Sequence, residues 1–396
     1  MWPRLIPRYV TAELLKVFLS TLTVFTFVMT LAGVANEAIR QGLGPVTVLR
    51  LIPYTLPNAL VFALPGTILF SACSVFGRLS ASNELTAIKS LGISPAVVLR
   101  PALLLAFLVS LGTVWLIDIA FSWGYAGIQR VVLDSAEEIA YSVLRTQHSY
   151  RTKQFSIAVA RVVDRRLLRM TITLERANGE TVTMTAREAQ LRAAPEEEAL
   201  KLTLTDGTVE IGKAAAFRFQ DTIEHTIPLR SPQEREGAAA HPSHMRLGLV
   251  GGAAQEQRKQ IRRSEQSLAA DAAEQLLTGD FAALTDAHWG ARLRDLEGQR
   301  QRLHRLETEP YRRWASGFSC LAFVMVGAPL AIRLKNSDLM TTFGICFLPI
   351  LIVYYPLFAY GLDRAKNGAL PPYCVWLGNL VCLAIGAWLL RKVSRY

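Results

Sequence analysis

The sequence predicts a polytopic α-helical membrane protein of six spans. A β-jellyroll-like domain on the outer side and an α-helical hairpin are inserted between spans three and four. Three observations predict it. Apolar residues crowd into positions 1–130 and 313–396, in stretches of about the twenty residues a crossing helix needs. The stretch between them alternates apolar and polar residues with the period of a strand. Arg and Lys flank the apolar stretches unequally, which orients a membrane protein. The expected division is residues 1–130 for spans one to three, 131–232 for the β domain, 233–312 for a linker and α-hairpin, and 313–396 for spans four to six.

Span one is expected near 17–36. Arg4, Arg8 and Lys16 precede it and AGVA at 32–35 resembles a cleavage site, so a signal peptide is a competing reading. Spans two and three are expected near 51–76 and 101–123. Pro53, Pro57 and Pro65 in span two each remove a helix hydrogen bond, giving a bent packing helix or a flexible cavity wall. Asp118 falls late in span three, where a solvated boundary residue competes with an intramembrane site. The last three spans are expected near 314–332, 339–362 and 373–390. With the N-terminus cytoplasmic, Arg4, Arg8, Lys16, Arg78, Lys89, Arg100, Arg333, Lys335, Arg391, Lys392 and Arg395 all fall on one side. Both termini are then cytoplasmic and the insert lies outside.

Between spans two and three stands GRLSASNELTAIKSLGIS, residues 77–94. Ser80 or Ser82 is expected to cap a short helix over 78–92. Ala81, Leu85, Ile88 and Leu91 form a narrow apolar stripe. Gly92 is a stop and Ser94-Pro95 starts the next span. Glu84 lies near the helix start, where the dipole favours a negative charge. The polar face holds Ser, Asn, Thr and a single Lys89, whereas lipid-surface helices carry many cations. It suits a protein groove better than anionic lipid.

In the insert, Met170, Ile172 and Leu174 alternate with Thr171 and Thr173, and Asn178-Gly179 gives a two-residue hairpin signal. Further strands surround Asp206-Gly207, as in a sandwich or jelly roll. Residues 253–308 read as two helices broken near Thr278-Gly279-Asp280, the second running towards span four.

The net charge is +11. Many cations flank apolar segments, where they meet lipid headgroups, and this argues against nucleic-acid binding. Cys73, Cys320, Cys346, Cys374 and Cys382 all lie in apolar segments and form no CxxC pair. His241 and His244 have no third ligand nearby, so no metal site is expected. No P-loop, HExxH or GxSxG motif is present, which excludes nucleotide binding by a P-loop and leaves no hydrolase constellation. An enzyme is not expected.

The stretch at 77–94, with YRRWASGFSCLAFVMVGAPLAIRLKNSD and YYPLFAYGLDRAKNGALPPYCVWLGNL near the end, resembles the lipopolysaccharide export permeases of the LptF/LptG family. Glu84 falls where the form G-R-L-x-x-x-x-E-L carries its carboxylate, and the Arg78-Leu79 pair leans towards the LptF side. The resemblance implies an ABC transporter permease in the inner membrane of a Gram-negative-type bacterium. Its implied partners are a cytoplasmic ABC ATPase dimer, a paralogous six-helix permease, a single-span LptC-like protein and lipopolysaccharide. ATP and Mg would bind in the ATPase, and this chain would bind no cofactor. The permease would extract lipopolysaccharide and pass it to a periplasmic bridge. Residues 78–92 would form the coupling helix, with Glu84, Arg78, Leu85, Ile88 and Gly92 as its ATPase-coupling residues. Arg40, Arg50, Arg130, Arg312 and Arg313 are placed for a basic rim around lipid headgroups, and each also reads as ordinary headgroup contact. Ile157, Val159, Met170, Ile172 and Leu174 are candidates for acyl-chain contact or for plain core. The helical segment 253–308 is longer than the family's minimal plan. A membrane-anchored sensor or scaffold, or a permease for another lipid or lipoprotein, are the alternative readings.

Overall fold

The computed structural model describes residues 5–41, 45–134, 136–151, 155–163, 165–175, 181–194, 199–211, 215–228, 241–279, 281–334 and 338–395. Six of its helical stretches are long and apolar enough to cross a membrane: Leu5–Ile39, Thr47–Ala81, Pro95–Val131, Ala287–Arg333, Leu339–Lys366 and Pro372–Val393. Three precede the β region in the chain and three follow it. The chain divides into two compact units. One holds Met1–Met29, Leu56–Ser122 and His241–Tyr396, and the other holds Thr30–Thr55 and Trp123–Ala240.

The first unit is helical. It takes α1 (Leu5–Gln41) as far as Met29 and α2 (Pro45–Ala81) from Leu56, followed by the short α3 (Glu84–Ser90) and by α4 (Pro95–Ile119). After the second unit the chain returns as α7 (Leu247–Thr278), α8 (Ala287–Gly317), α9 (Ser319–Arg333), α10 (Leu339–Pro349), α11 (Tyr355–Lys366) and α12 (Leu377–Arg395). One apolar core joins Phe18 of α1, Leu69 and Phe76 of α2, Val98 and Ala102 of α4, Phe323 and Ala328 of α9, and Cys382 of α12. Small residues bring these helices close, as helix association in lipid requires. A Cβ on Gly386 of α12 would stand 2.6 Å from the Met325 carbonyl oxygen of α9. The break at Phe318 is repaired by a side chain. Ser110 Oγ of α4 accepts from the Leu321 N–H at 3.1 Å, so a loosened helical turn keeps its backbone satisfied inside the bundle.

Helices α7 and α8 form the expected hairpin, closed at Gly279 with φ 77° and packed through Ile261, Leu268 and Leu296. Arg300–Glu265 and Arg258–Glu307 ion pairs run along its exposed edges. Such exposed pairs add little each, so the apolar seam holds the two helices.

The second unit centres on an antiparallel sheet of β1 (Ser149–Arg151), β2 (Phe155–Val163), β3 (Arg166–Glu175), β4 (Thr181–Ala194), β5 (Ala199–Ile211) and β6 (Ala215–Pro228). Among the described residues each strand pairs only with its neighbour in sequence. This differs from the two-sheet jelly roll expected. Three to five residues separate each of the last four strands from the next, and connections that short make hairpins rather than crossovers. Residues expected to begin the β domain are instead helical, as α5 (Tyr125–Asp134) and α6 (Ala136–Gln147).

The Asn178-Gly179 turn lies outside the described residues, but the register around it is defined. Glu175 pairs with Thr181, which sets Ile172 opposite Met184 and Met170 opposite Ala186. A two-residue turn at 178–179 would shift this by one and set Ile172 opposite Thr185. The apolar pairing decides the register, because a slip of one turns every side chain to the other face. Asp206-Gly207 is not a turn between strands. It is a bulge inside β5, with Asp206 at φ 49° and the register to β6 shifting between Thr205 and Gly207. A Cβ on Gly207 would meet the Thr185 carbonyl oxygen at 2.2 Å.

Candidate functional site

Two polar constellations stand out in the helical unit. The first is the turn between α2 and α4. Helix α2 runs past Gly77 to Ala81, four residues beyond the expected end. Neither Ser80 nor Ser82 caps α3. Ser80 Oγ donates to the Ile332 carbonyl at 2.7 Å, and Ser82 Oγ donates to the Arg78 carbonyl and reaches Glu84 Oε1 at 2.9 Å. The residue before α3 is Asn83, at φ 57° and without a side-chain cap. Asn tolerates this left-handed conformation better than most residues. It lets the chain reverse at once from α2 into α3.

Helix α3 then presents two faces. Leu85 is buried in the bundle core and Ile88 packs beside it, whereas Glu84 is exposed and Leu91 is 71% exposed. Of the expected apolar stripe, only its middle turns inward. Arg78 pairs with Glu13 of α1 at 2.9 Å while half exposed. Gly92 takes φ 75° and its N–H meets the Lys89 carbonyl, and Ser94 Oγ accepts from the Ala96 N–H to start α4. The segment thus displays Glu84 on an exposed turn fixed at both ends. It can offer a carboxylate and an apolar Leu91 to a surface that docks there.

The second constellation is buried and centres on Arg313 of α8, whose side chain is 0% exposed. Its Nη1 donates to Asp118 Oδ1 of α4, its Nε to Glu309 Oε1, and its Nη2 to the Ser243 and Met245 carbonyls at 3.1 and 2.6 Å. Asp118 Oδ1 also accepts from the Leu247 N–H at 2.7 Å. Arg312 lies one residue away, paired with Glu309 and placed over the Phe121 ring at 5.1 Å. A guanidinium is suited to this position because its planar fork serves several acceptors at once. The segment 241–247 carries His241 and His244 with rings 5.2 Å apart. Burial holds both imidazoles below the usual histidine range. Arg305 adds most to this at His241, and His241 itself does so at His244.

These positions revise several expectations. Arg313 is not a rim residue, because its donors are committed inside the protein. Asp118 is 31% exposed, as a boundary carboxylate would be, and is also the partner of Arg313. Ile157, Val159, Met170 and Ile172 form the closed core of the sheet, covered by Tyr141 and Leu144 of α6. They offer acyl chains no open surface. Leu174 belongs to β3, and its side chain lies outside the described residues, as does that of Arg40 in α1. Arg50 and Arg130 are exposed, and Arg312 is 16% exposed. The described residues hold no grouping of three His, Cys, Asp or Glu arranged for a metal.

Sequence reasoning missed Glu309 and the whole Asp118–Arg313 link. A partial signal existed: Glu309, Arg312 and Arg313 stand at i, i+3 and i+4 on one helix, the spacing at which opposite charges meet. Nothing local pointed to Asp118, 195 residues away.

The family model for the lipopolysaccharide export system permease LptF/LptG matches residues 8–392. The chain belongs to the LptF/LptG family. That membership implies a lipopolysaccharide export permease, a transport protein rather than an enzyme. No curated protein compared with the chain matches it.

Proposed function

We propose that the chain is the membrane subunit of an ABC transporter that extracts lipopolysaccharide from the inner membrane and delivers it to a periplasmic bridge. The observation that carries this reading is the family match over residues 8–392. The six membrane-length helices and the exposed Glu84 turn support it. In this reading both termini and α3 face the cytoplasm, and the sheet faces the periplasm. Glu84 seats in a groove of an ATPase dimer and pairs with a basic residue there, while Leu85 and Ile88 anchor α3 to the bundle so that ATPase movement reaches α2 and α4. ATP and Mg belong to that ATPase. A paralogous six-helix permease and a single-span LptC-like protein complete the assembly. Arg40, Arg50, Arg130 and Arg312 remain the headgroup contacts.

The test is Glu84→Arg. It replaces a carboxylate by a cation on an exposed turn, so insertion and folding are expected to stay intact. Co-purification of the ATPase and lipopolysaccharide export are expected to fall by on the order of a hundredfold, the cost of setting like charges together in a docked groove. Normal assembly and export with Arg at 84 would remove Glu84 from the mechanism. Purification of the wild-type chain alone, without ATPase or lipopolysaccharide, would favour a sensor or scaffold.

A further inference from the structure

Beside the Arg313 constellation lies a polar cleft of about 190 Å³, formed by the returning segment, α8 and α11. His241, Arg305, Glu309, Asp363, Lys366 and Asn367 line it. Its lining carries two cations and two carboxylates, but one of those carboxylates is already engaged by neighbouring arginines. Both oxygens of Glu309 are taken by Arg312, and one of them also by Arg313. Asp118 is taken by Arg313. Among the described residues, the Asp363 side chain accepts only from Asn367, at a long 3.4 Å. Among the described residues neither Arg305 nor Lys366 is in an ion pair, although Lys366 is half-buried. Around the cleft four cations, Arg305, Arg312, Arg313 and Lys366, face three carboxylates, Asp118, Glu309 and Asp363.

Burial is the largest influence that keeps the His241 ring neutral, and the nearby charges add to it. At His241 the cations Arg305, Lys366 and Arg312 all act against protonation, and only Glu309 opposes them. His241 Nδ1 accepts from the Ser243 N–H, so the neutral ring carries its proton on Nε2 and can donate from there. A cleft with a guanidinium, an ammonium, an imidazole N–H and an amide, contributed by three separate elements, matches an anionic ligand with more than two acceptor oxygens. A phosphomonoester is such a ligand.

We propose that this cleft is a phosphate-binding site, with Arg305 and Lys366 as its charge partners and His241 as a neutral donor. The phosphate can come from a lipid headgroup or from free phosphate, and only the lipid source rests on the export reading above.

The test uses the full chain in detergent micelles and native mass spectrometry. The probes are dioleoyl phosphatidic acid, which carries a phosphomonoester, and dioleoylglycerol, which is the same lipid without it. Phosphatidic acid is expected to bind, and Arg305→Gln and Lys366→Gln are each expected to weaken it about tenfold, the worth of one charge-assisted contact. Arg364→Gln serves as the control, since its guanidinium sits over Tyr360 at 5.5 Å and is expected to change nothing. Displacement of the lipid by millimolar inorganic phosphate would show that the cleft reads the phosphate group alone. Resistance to displacement would make the lipid headgroup its source. Equal binding of dioleoylglycerol, or wild-type affinity in both Gln variants, would overturn the proposal. A second measurement covers variants that fail to fold. In the unaltered chain, phosphatidic acid is expected to protect Lys366 from amine acylation and dioleoylglycerol is not, and absent protection overturns the proposal equally. Neither measurement involves an ATPase or transport, so a failed cleft leaves the export reading standing, and a failed export reading leaves the cleft standing.

Discussion

Removing the Arg313 guanidinium is expected to loosen the helical unit at one defined place. Arg313→Met keeps the aliphatic stem and deletes every donor. Breaking a buried ion pair from one side costs about 3–5 kcal/mol, because the remaining charge is left uncompensated. The structure argues for the lower end of that range. Glu309 keeps Arg312, and Asp118 keeps the Leu247 N–H and is 31% exposed, so water reaches it. What is lost outright is the partner of the Ser243 and Met245 carbonyls, at about 1 kcal/mol or more each when buried. A total of about 3 kcal/mol corresponds to a drop in melting temperature on the order of 5 °C for a chain of this size. The assay is thermal unfolding of the purified chain in detergent, paired with limited proteolysis across residues 241–247. Arg313→Lys is expected to recover less than half, since an ammonium cannot fork to four acceptors. A melting temperature within about one degree of wild type, with unchanged protease resistance at 241–247, would refute the reasoning and reduce the constellation to ordinary surface-like polarity.

Three further outcomes follow from other contacts. Tyr141 of α6 donates its hydroxyl to the Arg165 carbonyl at 2.7 Å and accepts from the Leu191 N–H at 2.9 Å; Tyr141→Phe is expected to cost about 1–2 kcal/mol and to speed amide exchange at Leu191 in hydrogen-exchange mass spectrometry. In the second unit, a Cβ at Gly127 would stand 1.9 Å from the Tyr54 ring, so Gly127→Ala is expected to destabilise by about 1–3 kcal/mol, with Tyr54→Ala in the same chain restoring part of the loss. The histidines at 241 and 244 have folded pKa values below their ordinary 6.5, so the folded state binds fewer protons than the unfolded one. Their contribution is therefore complete above pH 6.5 and is lost as pH falls through the lower folded values. Proteolysis at 241–247 is expected to accelerate below pH 6.5 in the wild type and to lose that dependence in His241→Gln/His244→Gln.

How much was legible in the sequence depended on whether the signal was local. The spans were, because hydropathy over twenty residues needs no partner. Gly279 at the hairpin and Gly92 and Ser94 around α3 were also legible, because a stop or a cap acts within one turn. The apolar alternation of β2 to β5 identified strands, and Met170 and Ile172 do face the sheet core. What failed needed a partner from elsewhere. Ser80 was assigned as a cap by its type, but Ile332, 252 residues on, supplies the acceptor it uses. Arg313 was placed at a lipid rim because it stands next to an apolar span. Whether a boundary arginine turns outward or inward is decided by Asp118 and by the carbonyls at 243 and 245, and none of these is near it in sequence.

The position of Asp118 and of residues 243–247 along the chain gives the Arg313 constellation a larger consequence. The chain leaves the helical unit just after Ser122 and re-enters it at His241. Asp118 lies at the end of the outgoing path, and Ser243, Met245 and Leu247 lie at the start of the returning one. One guanidinium on α8 therefore contacts the chain on both sides of the 123–240 excursion. Closing so long a loop carries an entropic cost that grows only slowly with its length, so a few buried hydrogen bonds suffice to fix the two ends together. The polar side chains of the constellation are also carried on helices of membrane-crossing length, α4 and the α8–α9 run. A shift of either helix must move both ends together or break the constellation. Loss of the Arg313 contacts is therefore expected to release residues 241–247 from α4 and α8 together, and proteolysis of that segment checks it.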